Sequence, residues 1–120
     1  MAYQILKNFL TNRARKDDLY VPAMIFFLIR NEGIGKSEEI AKLIYIFEHK
    51  YTIQEYKLIV EKLSSKILED YHLIEANSDQ YKLLTWPLNK REIDDISKRC
   101  FEISNGFFKN LKEDIASLEV

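Results

Sequence analysis

Apolar residues in the first part of the chain follow the spacing of two helices. Between residues 1 and 10 they recur at helical intervals on one side, and the polar residues 11–18 that follow are interpreted as a loop or an exposed helix end. Residues 21–29 are almost wholly apolar, which is typical of a helix buried on all sides. Pro22 suits the first turn of this helix. A strand is the competing interpretation, but Asn31-Glu32-Gly33 indicates the end of a helix.

Two more helices are predicted between residues 37 and 67. Ser37, with two glutamates directly after it, is a good N-cap for the first of them. Thr52 and Glu55 have the spacing of a capping box, which marks the start of the second. Behind Thr52 the apolar residues repeat at steps of three and four, so this is the clearest amphipathic helix in the chain. Its predicted core positions are Ile53, Tyr56, Val60, Leu63 and Ile67.

A β-hairpin and a last helix are predicted in the remaining sequence. Residues 73–76 and 81–85 are short strand candidates, and Asn77-Ser78-Asp79-Gln80 between them has the composition of a turn. Asn89 and Glu92 form the cap of the last helix, in which Asn105-Gly106 marks a kink or a break.

This order of elements predicts a winged helix-turn-helix. The fold class is mainly α with a small β-hairpin, flanked by N- and C-terminal helices. Counted from the helix over residues 21–29, the second helix of this fold begins near Ser37 and the third begins at Thr52. The short link between the second and third helices would form the turn of the helix-turn-helix, and the hairpin would form the wing. Residues 1–88 are expected to form the winged-helix domain, and residues 89–120 a C-terminal helical extension.

Two stretches carry a resemblance to known winged-helix proteins. Residues 67–75 (ILEDYHLIE) and 81–85 (YKLLT) resemble the helix end and wing of bacterial winged-helix regulators. Over a longer span, residues 8–85 are similar to the winged-helix modules that precede the nuclease domain of type IIS restriction enzymes. The chain departs from the regulators at Tyr71-His72, where Gly is common, and in its longer third helix. The resemblance implies a module that reads DNA or holds a protein partner, since both occur among such modules.

Composition is that of one small domain. The chain has 120 residues, of which 47% are hydrophobic and 31% charged. The single cysteine, Cys100, excludes an internal disulfide and fits a reducing compartment. No apolar run reaches the length of a membrane span, and residues 1–9 lack the features of a signal peptide. The expected location is the cytoplasm, with no membrane partner.

One pattern looks like the end of a phosphate-binding loop. It is Gly33-Ile34-Gly35-Lys36-Ser37, a glycine-rich segment before a predicted helix. Such a loop needs a further Gly where Arg30 stands, and it needs a preceding strand where a helix is predicted. The preferred interpretation is a turn with an N-cap.

A second pattern matches half of a metal-dependent nuclease site. Glu48 and Lys50 have the Glu-x-Lys spacing, but no Asp on a neighbouring strand precedes them to share the metal. The remaining metal-ligand types show no suitable spacing either; they are His49, His72 and Cys100. We therefore expect a non-enzymatic protein without a metal or cofactor, and nuclease activity remains the weakest alternative.

The third helix is the best candidate for binding double-stranded DNA. In winged-helix proteins its exposed N-terminal half enters the major groove, where Gln pairs with adenine and Lys with guanine or phosphate. Glu55 and Glu61 lie beside the lysines, and the net charge is −1, so any DNA contact is local or shared with partners. A solvated helix face is the alternative. The predicted contacts are Lys36, Lys50, Thr52, Gln54, Lys57 and Lys82.

The last helix is predicted to associate with a second copy or another protein. Its apolar stripe can also pack against the core of its own domain. The predicted association residues are those of the stripe and two further apolar residues: Ile93, Ile96, Cys100, Ile103, Phe107, Phe108 and Leu111. The leading hypothesis is a DNA-binding winged helix of a bacterial regulator or a restriction or defence system, associating through this helix. The alternative is a winged helix used only for protein–protein assembly.

Overall fold

The computed structural model describes residues 2–12 and 20–103, which are mainly helical with a small three-stranded antiparallel sheet. The helices and the hairpin predicted from the sequence are confirmed within these residues. The elements in chain order are α1 (Ala2–Asn12), α2 (Tyr20–Arg30), β1 (Ile34–Lys36), α3 (Ser37–Phe47), α4 (Ile53–Ile59), a π-helical segment (Val60–Ser64), α5 (Ser65–Asp70), β2 (Ile74–Asn77), β3 (Gln80–Leu83) and α6 (Lys90–Ile103).

Strand β1 was not predicted. It pairs antiparallel with β3, with Ile34 opposite Lys82, and β3 lies between β1 and β2. The expected turn is therefore limited to residues 31–33, and residues 34–36 form a strand instead. Three residues are too few to show the alternation that identifies a strand, and the pairing partner lies far along the chain.

Two glycines are required where β1 approaches its neighbours. Gly33 has a φ of 83°, and a Cβ at this position would lie 2.7 Å from Cγ of Trp86. A Cβ on Gly35 would lie 2.6 Å from Cε1 of Phe27, so β1 runs directly over the side chains of α2. These contacts, not phosphate binding, account for the glycine-rich pattern.

Helix α2 lies at the centre of the core. It contacts α3, α6 and the π-helical segment, which confirms the prediction of a helix buried on all sides. Its buried residues are Val21, Pro22, Ala23, Met24, Ile25, Phe26, Leu28 and Ile29.

The helix predicted to begin at Thr52, which is the third helix of the winged-helix prediction, comprises α4, the π-helical segment and α5. The π-helical segment changes which residues of this long helix face the core. The backbone stays helical through it, with φ and ψ of −59° and −48° at Val60 and −61° and −45° at Ser64. A π turn holds more residues than an α turn, so the side chains after Val60 are rotated relative to an α-helix. Ser64 and Leu68 are buried, whereas Leu63 is 60% exposed. The prediction that Leu63 faces the core is therefore wrong.

The N-cap residues predicted from the sequence are confirmed at two of three helices. The Thr52 hydroxyl accepts a hydrogen bond from the backbone N–H of Glu55 (3.1 Å), which confirms that capping box. Asn89 and Glu92 form the same reciprocal arrangement at α6. At α3 the N-cap is Lys36, whose N–H donates to the Glu39 carboxylate at 2.9 Å. Ser37 is thus the first helical residue rather than the cap.

Helix α6 packs against α1 and α2 over its described length. Ile96 and Cys100 are fully buried in the core, and Ile93 is half-buried against it. The prediction that Ile96 and Cys100 lie on an association surface is corrected by this packing, since neither is exposed in the folded domain. The side chain of Ile103 and the residues Phe107, Phe108 and Leu111 lie outside the described residues. The division into residues 1–88 and 89–120 stays a prediction.

Polar contacts also join α6 to α1. The Tyr3 hydroxyl donates to the Asp95 carboxylate, and Arg99 Nε donates to the same oxygen at 3.2 Å. These two hydrogen bonds lower the pKa of Asp95, with the Tyr3 hydroxyl as the larger cause. Arg99 further donates to the Thr11 hydroxyl at 3.3 Å, so α6 is held on α1 by side chains from two turns.

Candidate nucleic-acid interface

The connection between α3 and α4 forms an open cleft of about 450 Å³. Three of the six predicted DNA contacts, Lys50, Thr52 and Gln54, line this cleft and are exposed. Lys57 lies one turn further along α4 and is half-exposed. The structure therefore brings four predicted contacts together at the start of the third helix. The residues lining the cleft are Tyr45, His49, Lys50, Tyr51, Thr52, Ile53, Gln54 and Glu55.

Glu48 lies at the end of α3, beneath this cleft, and binds two tyrosines. Its Oε2 atom accepts a hydrogen bond from the Tyr20 hydroxyl at 2.5 Å and lies 2.8 Å from the Tyr56 hydroxyl. The Tyr56 hydroxyl is also 2.9 Å from the backbone carbonyl oxygen of Glu48. The backbone N–H of Tyr51 donates to the Tyr56 hydroxyl at 3.3 Å, which closes the network around the turn.

These contacts show what Glu48 does in the structure. Its carboxylate accepts hydrogen bonds from tyrosine hydroxyls of α2 and α4, which ties these two helices to the end of α3. Within residues 2–12 and 20–103, no three His, Cys, Asp or Glu side chains are grouped so as to hold a metal ion. The nuclease alternative based on Glu48 and Lys50 gains no support from this geometry.

Tyr56 is the centre of an aromatic cluster below the turn. Its ring centroid lies 5.7 Å from that of Tyr20, 6.5 Å from Tyr45 and 5.6 Å from Tyr51, all in edge-on contacts. Tyr45 in turn contacts the exposed His49 ring at 4.7 Å. Burial, with the hydrogen bond to Glu48 as second cause, raises the pKa of Tyr56 to about 12 and raises the pKa of Tyr20 as well.

The other two predicted DNA contacts, Lys36 and Lys82, lie on the outer face of the sheet. Lys82 is flanked across the strands by Ile34 on one side and Glu75 on the other. Lys36 is the N-cap of α3 and Lys50 lies just beyond the other end of this helix, so about 16 Å of helix separates the two. The six residues thus form two groups, one on the sheet and one at the start of α4. The turn between β2 and β3 carries Asp79 and no basic residue.

The exposed side of the third helix also carries apolar residues. Leu58 is 55% exposed and Leu63 is 60% exposed, and Glu61 lies between them in sequence. Sequence periodicity pointed to neither as a surface residue. In a regular α-helix Leu63 would belong to the core stripe, and the π-helical segment changes the direction of its side chain.

The hydrogen-bonded network of Tyr20, Glu48 and Tyr56 is not predicted by the sequence pattern. The helical spacing predicts Tyr56 as a core residue and indicates no partner for its hydroxyl. Glu48 is 28 residues from Tyr20, and no local spacing reports a contact of that separation. The one available signal was the cluster of tyrosines around the turn, because a buried Tyr hydroxyl usually requires a partner.

Comparisons with protein-family models, with curated proteins and with solved structures gave no match to this chain. In the described part of the chain, no helix combines the length and the apolar character that crossing a membrane requires.

Proposed function

We propose that this protein is a non-enzymatic winged-helix module that contacts double-stranded DNA in the cytoplasm. The element order supports the fold: a helix, a short strand, two helices joined by a turn, and a hairpin whose second strand pairs with that first strand. In this assignment α2, α3 and the helix beginning at α4 are the three helices, and β2–β3 is the wing. The resemblance to regulators and restriction-enzyme modules suggests either of those settings.

The observation that carries the DNA proposal is the grouping of Lys50, Thr52 and Gln54 around one cleft, with Lys57 a turn away. In our proposal Gln54 and Lys57 face a base edge or a phosphate in the major groove, and Lys50 and Thr52 hold the phosphate backbone. Lys36 and Lys82 would contact phosphates from the sheet.

Charge sets the expected strength of this contact. The chain has 18 basic and 19 acidic residues, and the wing turn carries Asp79. Four lysines at most would neutralise phosphates, which corresponds to a slope of log affinity against log salt of about −2 to −4. Such a contact is weak alone, and association with a second copy or another protein would strengthen it.

The test is binding of a fluorescent duplex of mixed sequence, followed by anisotropy between about 50 and 200 mM salt. Lys57→Ala and Lys50→Ala should each weaken binding several-fold and reduce the salt slope by about one. Lys98→Ala is the matched control, because Lys98 is an exposed lysine on α6, which packs on α1 and α2. No binding at the lowest salt, or an equal loss in Lys98→Ala, contradicts the proposal.

A second candidate function is protein–protein assembly without DNA. It is favoured by the exposure of Leu58 and Leu63 on the outer side of the third helix, where a DNA-binding helix would carry polar residues. If two copies dock through this side, Leu58→Glu and Leu63→Glu should convert a dimer into a monomer in sedimentation experiments. Ile5→Glu is the control, since Ile5 is equally exposed but lies on α1. A monomeric unmodified chain at all concentrations contradicts this candidate.

A further inference from the structure

Glu48 is the point at which three helices are joined by hydrogen bonds. It ends α3, its carboxylate accepts from Tyr20 of α2, and it accepts from Tyr56 of α4. Because a tyrosine hydroxyl has one proton, Tyr56 donates to either the carboxylate or the carbonyl of Glu48, while its oxygen accepts from the N–H of Tyr51. The hydrogen bonds therefore form a continuous chain from α2 to the start of α4.

The residues proposed to touch DNA lie between the anchor points of this chain. Lys50, Thr52 and Gln54 all fall within the stretch from Glu48 to Tyr56. Tyr56 is fully buried, and hydrogen bonds to a carboxylate are about twice as strong as those between neutral groups. A contact network of this kind fixes the path of the backbone around the turn more tightly than apolar packing alone.

We propose that Tyr20, Glu48 and Tyr56 act as a clasp that holds residues 49–57 in the conformation used for binding. They are positioning residues: they act through the turn and are not proposed to contact the DNA. A preformed turn should bind DNA more tightly, because it avoids the entropy cost of ordering the turn on contact. This effect on affinity rests on the proposed function. Tyr20 is the most informative member, since it belongs to α2 and does not line the cleft.

The first experiment measures amide hydrogen exchange of the full chain without DNA. Tyr20→Phe and Tyr56→Phe should each speed exchange in residues 49–57 by about tenfold, the scale of one lost charge-assisted hydrogen bond, with β2 and β3 unchanged. Glu48→Gln keeps an oxygen acceptor and should have a smaller effect. Tyr71→Phe is the control, because it removes the hydroxyl of an exposed tyrosine outside this network.

The second experiment measures DNA affinity and its salt dependence for the same variants. Loss of the clasp should weaken binding about three- to tenfold at unchanged salt slope, because the number of phosphates contacted stays the same. This differs from the lysine variants, which reduce the slope.

The outcomes separate the two proposals. Unchanged exchange in Tyr20→Phe, or faster exchange throughout the molecule, overturns the clasp. Unchanged affinity in a variant with locally faster exchange overturns its role in binding. Locally faster exchange in a chain that binds no DNA overturns the proposed function but supports the clasp as a device of the fold.

Discussion

At the scale of single residues, the end of α5 shows how backbone geometry selects a residue type. The N–H of Leu73 donates to the carbonyl of Leu68, and the N–H of His72 to that of Glu69, both at 2.9 Å. This is the Schellman arrangement, which places the residue after the cap in the left-handed region. His72 has a φ of 57° there. A left-handed position of this kind favours glycine, which has no Cβ to clash with the backbone.

His72→Gly should therefore stabilise the protein by about 1 kcal/mol, because glycine adopts a positive φ without the clash of a Cβ. The measurement is the free energy of unfolding from urea denaturation. His49→Gly is the matched control: it removes the same exposed side chain where the backbone is not left-handed, and should destabilise the protein or leave it unchanged. Equal effects of the two substitutions would contradict this explanation.

At the scale of elements, the sequence predicted what depends on near neighbours. The capping pairs at Thr52 and Asn89 span three residues, and the amphipathic pattern of the helix that begins at Thr52 spans about fifteen. Both signals are therefore contained in the local sequence and could be predicted from it. Strand β1 was not visible, because its identity comes from pairing with β3 across most of the domain. The π-helical segment was not visible either, since a regular helical periodicity through residues 60–64 predicts Leu63 in the core, whereas the structure has it exposed.

The candidate site also contains residues that the local sequence predicts and a network that it does not. Lys50, Thr52 and Gln54 were predicted because their polarity and their position at a helix start are properties of the local sequence. The network that supports them was not, because it joins α2 to the α3–α4 turn and depends on the packing of complete helices. The burial of Ile96 and Cys100 likewise depends on the packing of complete helices, since a stripe at helical spacing fits a domain core and an association surface equally well.

At the scale of the whole molecule, stability should fall at alkaline pH because of the buried tyrosines. The pKa values of Tyr20 and Tyr56 are raised by burial and by hydrogen bonds to Glu48, to about 12 for Tyr56. The unfolded chain ionises these groups near pH 10, before the folded protein does. Their contribution is therefore complete below about pH 10 and is lost as the pH rises toward the folded values.

Above about pH 10, each tyrosine should lower the free energy of unfolding by at most about 1.4 kcal/mol per pH unit. Urea denaturation at a series of pH values measures this slope. The double variant with Tyr20→Phe and Tyr56→Phe should show a shallower decline than the unmodified chain, and Tyr71→Phe should not. An identical decline in the double variant would show that other groups control the alkaline transition.

The position of β3 between β1 and β2 has a consequence for how the protein is made. Residue 34 finds its partner only at residue 82, so β1 has nothing to pair with until the ribosome has released nearly the whole hairpin. Everything from α3 to β2 lies inside the loop that this pairing closes. The slow step of folding should then be the closure of that loop, and a chain interrupted within it would lose β1 together with the hairpin.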